Sequence, residues 1–342
     1  MSDLREALAA VWTGRGVRAR SARALLIPAA ALYRAGISVR GFLYDRGLLR
    51  THDVSVPVLS VGNLTVGGTG KTPVAAWFAR ELVNRGVTPA IVLRGYGGDE
   101  ALVHRRLNEG VPVISAPDRV RGIREAVAHG VDAVVLDDAF QHRRVARDVD
   151  VVLVNADSWT GTTRLLPAGP WREPLSAVRR ASLVIVTRKI ADRFVVADVR
   201  RAISRAAPRV PLASAYLFPR ELRSTATGQT IPLQAIEGAD VTAIAAVAHP
   251  EAFFQQLTEL GAIVHPHPFP DHHAFTRREA RALVAAAERS DFVICTLKDA
   301  VKLESIWPAE GGSLWYVSQR LKIEEGQPNI DRMLDDLLAP AH

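Results

Sequence analysis

The sequence has almost no cysteine: Cys295 is the only one in 342 residues. A lone cysteine cannot close an internal disulfide, which excludes a disulfide-framed secreted fold and leaves a reducing compartment as the expectation. Its ordinary role is that of a buried, inert thiol. Aromatic residues are also scarce, at 6%. They do not interleave with basic residues, and neither zinc-finger spacing nor an RNA-recognition signature is present, so a nucleic-acid partner is not expected. A guanine-selecting Asn-Lys-x-Asp box is missing as well. The apolar run from Ala24 to Tyr33 is ten residues long, bounded by Arg23 and Arg34. That is short of the roughly 20 residues a membrane-spanning helix needs. A signal peptide fits poorly too, because arginine flanks the run on both sides and no small-residue cleavage site follows.

What is present is the composition of a folded protein, 48% hydrophobic and 23% charged. Its length suits two domains of ordinary size. The net charge of +7 is not spread along the chain. Residues 1–50 hold nine arginines against Asp3, Glu6 and Asp45, which accounts for six of the seven excess charges. A basic stripe confined to one end reads as attachment to an anionic surface. With the apolar run and Tyr33, Phe42 and Tyr44, residues 1–50 read as a basic amphipathic segment suited to a helix lying in the headgroup region of a membrane, or equally to a helix packed on the rest of the protein.

Beyond it, Val56–Val61 is a short β-branched run, Gly62 to Gly70 a glycine-rich loop, and Thr72–Val83 a helix with Val74, Phe78 and Leu82 on one side. Ala90–Leu93 completes a βαβ unit, and Ala133–Leu136, Val151–Val154 and Leu183–Val186 are further buried-strand runs. Strands alternating with helices predict a mostly parallel sheet with helices on both faces, here over residues 51–205. From about residue 206 to 342 the pattern restarts as a smaller α/β lobe. Its predicted strands are Val241–Val247, Phe292–Thr296 and Leu314–Val317, and its helices Pro250–Leu260 and Thr276–Arg289.

The most informative motif is Thr65-Val66-Gly67-Gly68-Thr69-Gly70-Lys71-Thr72, set between the first strand and its helix. Glycines let backbone N–H groups converge on phosphate oxygens, and the helix N-terminus adds positive potential. Lys71 reaches the terminal phosphates, and Thr72 offers the hydroxyl expected on Mg²⁺. The loop is a variant, because Thr65 stands where the usual spacing has its first glycine. The run Ala133–Leu136 ends in Asp137-Asp138, where a P-loop protein places the carboxylate that helps hold Mg²⁺. Two adjacent acids at the end of a buried strand call for a cation or donors. Arg119, Arg143 and Arg172 are candidates for phosphate oxygens, since guanidinium forks match them. Gln141 and His142 either complete the site or cap its turn. His265, His267, His272 and His273 cluster without the cysteines or acids that would complete a zinc set.

The run Ser60 to Pro73 resembles the tetraacyldisaccharide 4′-kinase family of lipid A biosynthesis. Agreement continues through Arg94-Gly95-Tyr96-Gly97-Gly98, Asp99-Glu100 and Asp137 to His142, then through Leu166 to Pro174, Phe269 to His273 and Thr296 to Leu303. The resemblance implies Mg²⁺- and ATP-dependent phosphorylation of the 4′-hydroxyl of an acylated glucosamine disaccharide 1-phosphate. It places the reaction at the cytoplasmic face of a bacterial inner membrane, with no protein partner required. It also implies a two-lobed P-loop fold with the active site between the lobes. By the same resemblance Asp99 and His272 form a dyad on the acceptor hydroxyl, and Asp137, Asp138 and Glu173 are associated with the metal. The chain passes directly from Gly98 into Asp99, where family members carry a longer insertion. The alternative reading is a membrane-attached nucleotide switch using the same loop and aspartates.

Overall fold

The computed structural model describes residues 11–12, 14, 16–95, 98–247 and 250–339. The first ten residues, Arg15, Tyr96 and Gly97 therefore lie outside the described residues. Helix α1 (Val17–Asp45) leads to β1 (Val58–Asn63), α2 (Lys71–Asn84) and β2 (Pro89–Leu93), the expected βαβ unit. Next come α3 (Asp99–Leu107), β3 (Val113–Ser115), α4 (Arg119–Ala128), β4 (Ala133–Asp137), β5 (Val149–Asn155), β6 (Leu183–Arg188), α5 (Arg193–Ala206) and β7 (Leu212–Ser224). The chain continues with β8 (Thr230–Pro232), β9 (Asp240–Ala245), α6 (Pro250–Glu259), β10 (Ile263–Pro268) and α7 (Arg277–Ala286). It ends with β11 (Phe292–Cys295), α8 (Leu297–Leu303), β12 (Leu314–Glu325) and α9 (Gln327–Leu338).

Two units divide this chain. The first holds the residues up to Arg94, Asn108–Leu217 and those from Leu321 onward; the second holds Gly95–Leu107 and Phe218–Arg320. Three segments thus depart from the contiguous ranges 51–205 and 206–342: Gly95–Leu107 counts with the second unit, and residues 206–217 and those from Leu321 onward count with the first. Helix α3, which carries Asp99, counts with the second unit because it packs on α8. The tail from Leu321 counts with the first, where Arg188 grips Glu324 with a bond of 2.8 Å.

In the first unit the strand order is β3-β2-β4-β1-β5-β6-β7, and neighbours run parallel. Every residue of β1, β2 and β4 is buried, as expected for strands covered on both faces. One face packs Val152, Val154, Val184 and Val186 with Val196, Val199 and Ile203 of α5. The other packs Val58, Val92 and Val134 with Val120, Ile123 and Ala126 of α4. Val74, Phe78 and Leu82 of α2 are all buried, as their spacing predicted.

In the second unit β10-β9-β11 run parallel, with β12 beside β11. Side chains alternate between its faces: Ile244, Val293 and Cys295 join one cluster, Val241, Ala243 and Ile294 the other. Cys295 is fully buried. Burial, together with the charge of Asp299, pushes its thiol well above the usual range, which keeps it inert. Strand β12 extends eight residues beyond the apolar stretch Leu314–Val317, because its continuation sets Leu321 and Ile323 among polar residues and an apolar-run criterion stops at Ser318.

Helix α1 is 29 residues long, much longer than its apolar run, and by length and composition alone it could cross a membrane. None of its residues is buried. Tyr33 and Ile37 pack against the first unit's cluster, while Leu25 and Leu32 are 81% and 76% exposed.

Candidate active site

Register places Val61 of β1 opposite Asp137 of β4. The loop after β1 and the turn after β4 therefore leave the carboxyl end of the sheet side by side, where open α/β sheets bind their ligands. Gly67 has φ 104° and Gly70 φ 82°, which only glycine adopts without strain. A side chain at Gly67 or Gly68 would meet nothing within 4 Å among the described residues, so the space beside these two glycines is open to an incoming group. At Gly62 a Cβ would lie 2.7 Å from the Phe140 backbone nitrogen, so glycine is what lets the Asp138 turn sit against β1.

The loop is braced from beneath. Asn63 Nδ2 donates to Thr69 Oγ1 (2.6 Å) and Thr187 Oγ1 donates to the Thr69 carbonyl (3.1 Å). The Val66 amide donates to the Pro170 carbonyl at 2.9 Å. Helix α2 starts with no side-chain cap, so its first amides and its dipole remain for an anion.

Lys71 Nζ lies 3.8 Å from Asp138 Oδ1. Arg172 donates to the same oxygen at 2.9 Å and also to the side-chain oxygen of Asn63. Burial alone would push the Asp138 carboxyl up; Lys71 and Arg172 outweigh it and hold the group below the usual carboxylate range. Asp138 sits at φ 52°, one of two non-glycine residues with positive φ among the described residues. Such backbone costs about 1–3 kcal/mol and concentrates at functional sites.

Gln141 Nε2 donates to the Asn63 carbonyl at 2.8 Å, tying the two turns together. His142 is ringed by arginines. Burial first, then Arg119, Arg144, Arg147 and Arg40, lower its pKa to about 4. A histidine lowered in the folded state binds its proton more readily when unfolded. Its contribution to stability is therefore complete above the unfolded value of 6.5 and is lost as pH falls toward about 4. Urea unfolding at pH 7 and pH 5 should show stability falling over that window, and His142→Gln should remove part of the slope.

The other sequence candidates divide. Glu173 pairs with Arg180 (2.8 Å). Arg143 is spent on α1: it meets Asp45 at 2.7 Å, donates to the Gly41 carbonyl and lies over the Tyr44 ring. His265 bonds to Asp240 (2.7 Å) and His273 to Glu279 (3.0 Å). Asn63 and Thr187, which brace the loop, were not singled out by sequence. Asn63 lay within the recognised run, whereas nothing local marks Thr187.

A second constellation lies within the second unit. Asp99 opens α3 and is only 3% exposed. His272 Nδ1 donates to its Oδ2 across 3.0 Å, while Asp99 Oδ1 is buried with no hydrogen-bond partner among the described residues. His272 is the other residue with positive φ, at 59°. The direct passage from Gly98 to Asp99 has thus not kept the carboxylate from meeting its histidine.

Among the described residues no group of three or more His, Cys, Asp and Glu could hold a metal ion. Mg²⁺ beside a nucleotide needs fewer protein ligands, because phosphate oxygens and water complete its octahedron. Asp137 and Asp138 at the end of β4, with Thr72 in the first turn of α2, suit that sparse donor set.

A parallel sheet whose central strand runs through a glycine loop into a helix, with a lysine and an aspartate poised over that loop, defines a P-loop nucleotide-binding protein. Within that class the assignment is specific. The tetraacyldisaccharide-1-P 4′-kinase family matches residues 22–106 and 97–339, and the chain belongs to it. The tetraacyldisaccharide 4′-kinase of Anaeromyxobacter sp. (strain Fw109-5) is 38% identical over 96% of each chain. That of Geobacter sulfurreducens is 37% identical over 85% of this chain and 87% of its own. The crystal structure of LpxK from Aquifex aeolicus in complex with ATP superposes with a TM-score of 0.73 at 26% identity, covering 93% of this chain and 99% of that one.

Proposed function

We propose that the chain transfers the γ-phosphate of ATP to the 4′-hydroxyl of a tetraacylated glucosamine disaccharide 1-phosphate, a step of lipid A biosynthesis. The observation that carries this beyond nucleotide binding is the Asp99–His272 pair, with a carboxylate oxygen left without a partner among the described residues. A nucleotide switch has no need of such a pair; a kinase needs it for its acceptor.

The loop amides and the start of α2 cradle the phosphates, and Lys71 follows the γ-phosphoryl group as negative charge develops on it. Lys71 and Arg172 keep Asp138 ionised, and Arg172 fixes its turn against Asn63. Mg²⁺, held through Thr72, Asp137 and Asp138, would neutralise phosphate oxygens. Glu173 is a more distant candidate for this set, because Arg180 engages it. On the acceptor side Asp99 Oδ1 takes the proton of the 4′-hydroxyl as its oxygen bonds to phosphorus and the bond to the ADP oxygen breaks. His272 holds the other carboxylate oxygen and so fixes which lone pair faces the hydroxyl. The test is ADP release with and without the acylated disaccharide in detergent micelles. Release that depends on the lipid supports the kinase; equal release without it supports the switch.

We place the reaction at the cytoplasmic face of the bacterial inner membrane, with α1 lying on the bilayer. Its inner side is docked: Tyr33 Oη donates to the Arg172 carbonyl (2.9 Å) and Arg40 to the Gln141 carbonyl (2.9 Å). A helix pinned in this way favours a shallow seat over a crossing, and its exposed Leu25 and Leu32 are flanked by arginines. Ile190 and Phe194 of the same unit, 85% and 86% exposed beside Arg193, add apolar surface. Leu25→Ser with Leu32→Ser should weaken binding to anionic vesicles at least about tenfold in flotation. Unchanged flotation would exclude this face.

A further inference from the structure

The sequence run Thr296 to Leu303 takes no direct part in the chemistry above, yet it contains a buried carboxylate paired with a partly buried lysine. Asp299 is 0% exposed. Its Oδ2 accepts from the Ala246 amide (3.0 Å) and from Thr296 Oγ1 (2.7 Å), and Lys302 Nζ lies 3.0 Å from its Oδ1. Lys302 also donates to the His273 carbonyl at 3.1 Å and lies over the Phe275 ring. A buried carboxylate is costly unless it is fully engaged, so Asp299 and its lysine call for a reason.

Its partners supply that reason. The Ala246 carbonyl accepts the His272 amide at 3.3 Å, and His273 is the next residue along. Asp299 thus holds the residue that bonds to the His272 backbone, and Lys302 holds the residue after it. His272 has the left-handed backbone that the surroundings must impose. The same α8 packs against α3, which carries Asp99, and Glu304 just beyond α8 pairs with Arg106 of α3. Both halves of the Asp99–His272 pair therefore rest on one short helix.

From this we infer that Asp299 and Lys302 are positioning residues for catalysis. Asp299 holds the Ala246 backbone that accepts the His272 amide, and Lys302 holds the His273 carbonyl, so that the imidazole meets Asp99 without either residue touching substrate. The inference rests on the assignment of Asp99 and His272 to the acceptor. Misplacing a catalytic group by about 1 Å can cost up to about 10²-fold in rate.

The test is a double-mutant cycle in kcat with His272→Ala, using Asp299→Asn, Lys302→Met and the two together. Replacing both charges keeps the shape without leaving one of them unpaired, so the combined variant serves should either single one fail to melt cooperatively. Each substitution should lower kcat at least about tenfold in the His272 background and leave the KM for ATP unchanged. In the His272→Ala background the same changes should have no further effect, because the ring they position is gone. Lys302→Arg should recover part of the activity lost in Lys302→Met. Losses that multiply independently of His272, or a wild-type kcat in the combined variant, would overturn the inference. Full activity in His272→Ala would instead refute the acceptor assignment, and with it the role of α8.

Discussion

Lys71→Ala should lower kcat for phosphate transfer by about 10³-fold while the protein unfolds at nearly the wild-type temperature. The lysine stands in the first turn of α2, and among the described residues its ammonium group has one ion-pair contact, 3.8 Å from Asp138. So long and partly exposed a pair contributes little to stability, on the order of 1 kcal/mol or less. Its charge matters most when a phosphoryl group carries negative charge into the transition state, where donors already in place require no reorganisation. Asp138 should not collapse in the variant, because Arg172 still grips it at 2.9 Å. Steady-state kinetics with thermal melts would decide. A large drop in melting temperature beside a small loss of rate would show that Lys71 serves the fold instead.

The second large effect is expected at the acceptor. Asp99→Asn preserves the shape of the side chain but removes the lone pair that takes the proton, so kcat should fall by about 10²–10⁴-fold. The KM for ATP should not move, since Asp99 belongs to the second unit and the phosphate loop to the first. The amide can also turn its NH₂ toward His272, which would spoil the bond now 3.0 Å long. His272→Ala should cost less than Asp99→Asn, because the histidine orients the base and does not itself accept the proton. Equal ATP hydrolysis by wild type and Asp99→Asn, with neither dependent on lipid, would contradict the role.

The constellation around the phosphate loop was legible because its signal is local. A buried strand, a glycine loop and an amphipathic helix follow one another within residues 56–84, and register then brings Asp137 beside Val61. The Asp99–His272 contact spans 173 residues and came only through family resemblance; no periodicity predicts it. The allegiance of α3 was hidden for the same reason, since it is decided by packing on α8 and not by its place in the chain. Thr187, which braces the loop from 118 residues away, carries no local mark at all. The apolar run in α1 understated the helix because its arginine-bearing turns continue the same backbone hydrogen bonding without continuing the hydrophobicity.

The most direct measurement of the central claim is transfer of label from γ-³²P-ATP to tetraacyldisaccharide 1-phosphate in micelles, with the labelled lipid recovered and its new phosphate located by NMR. The account predicts a labelled lipid phosphorylated at the 4′ position, nearly absent with Lys71→Ala or Asp99→Asn. Label released as inorganic phosphate at the same rate with or without the lipid would contradict it.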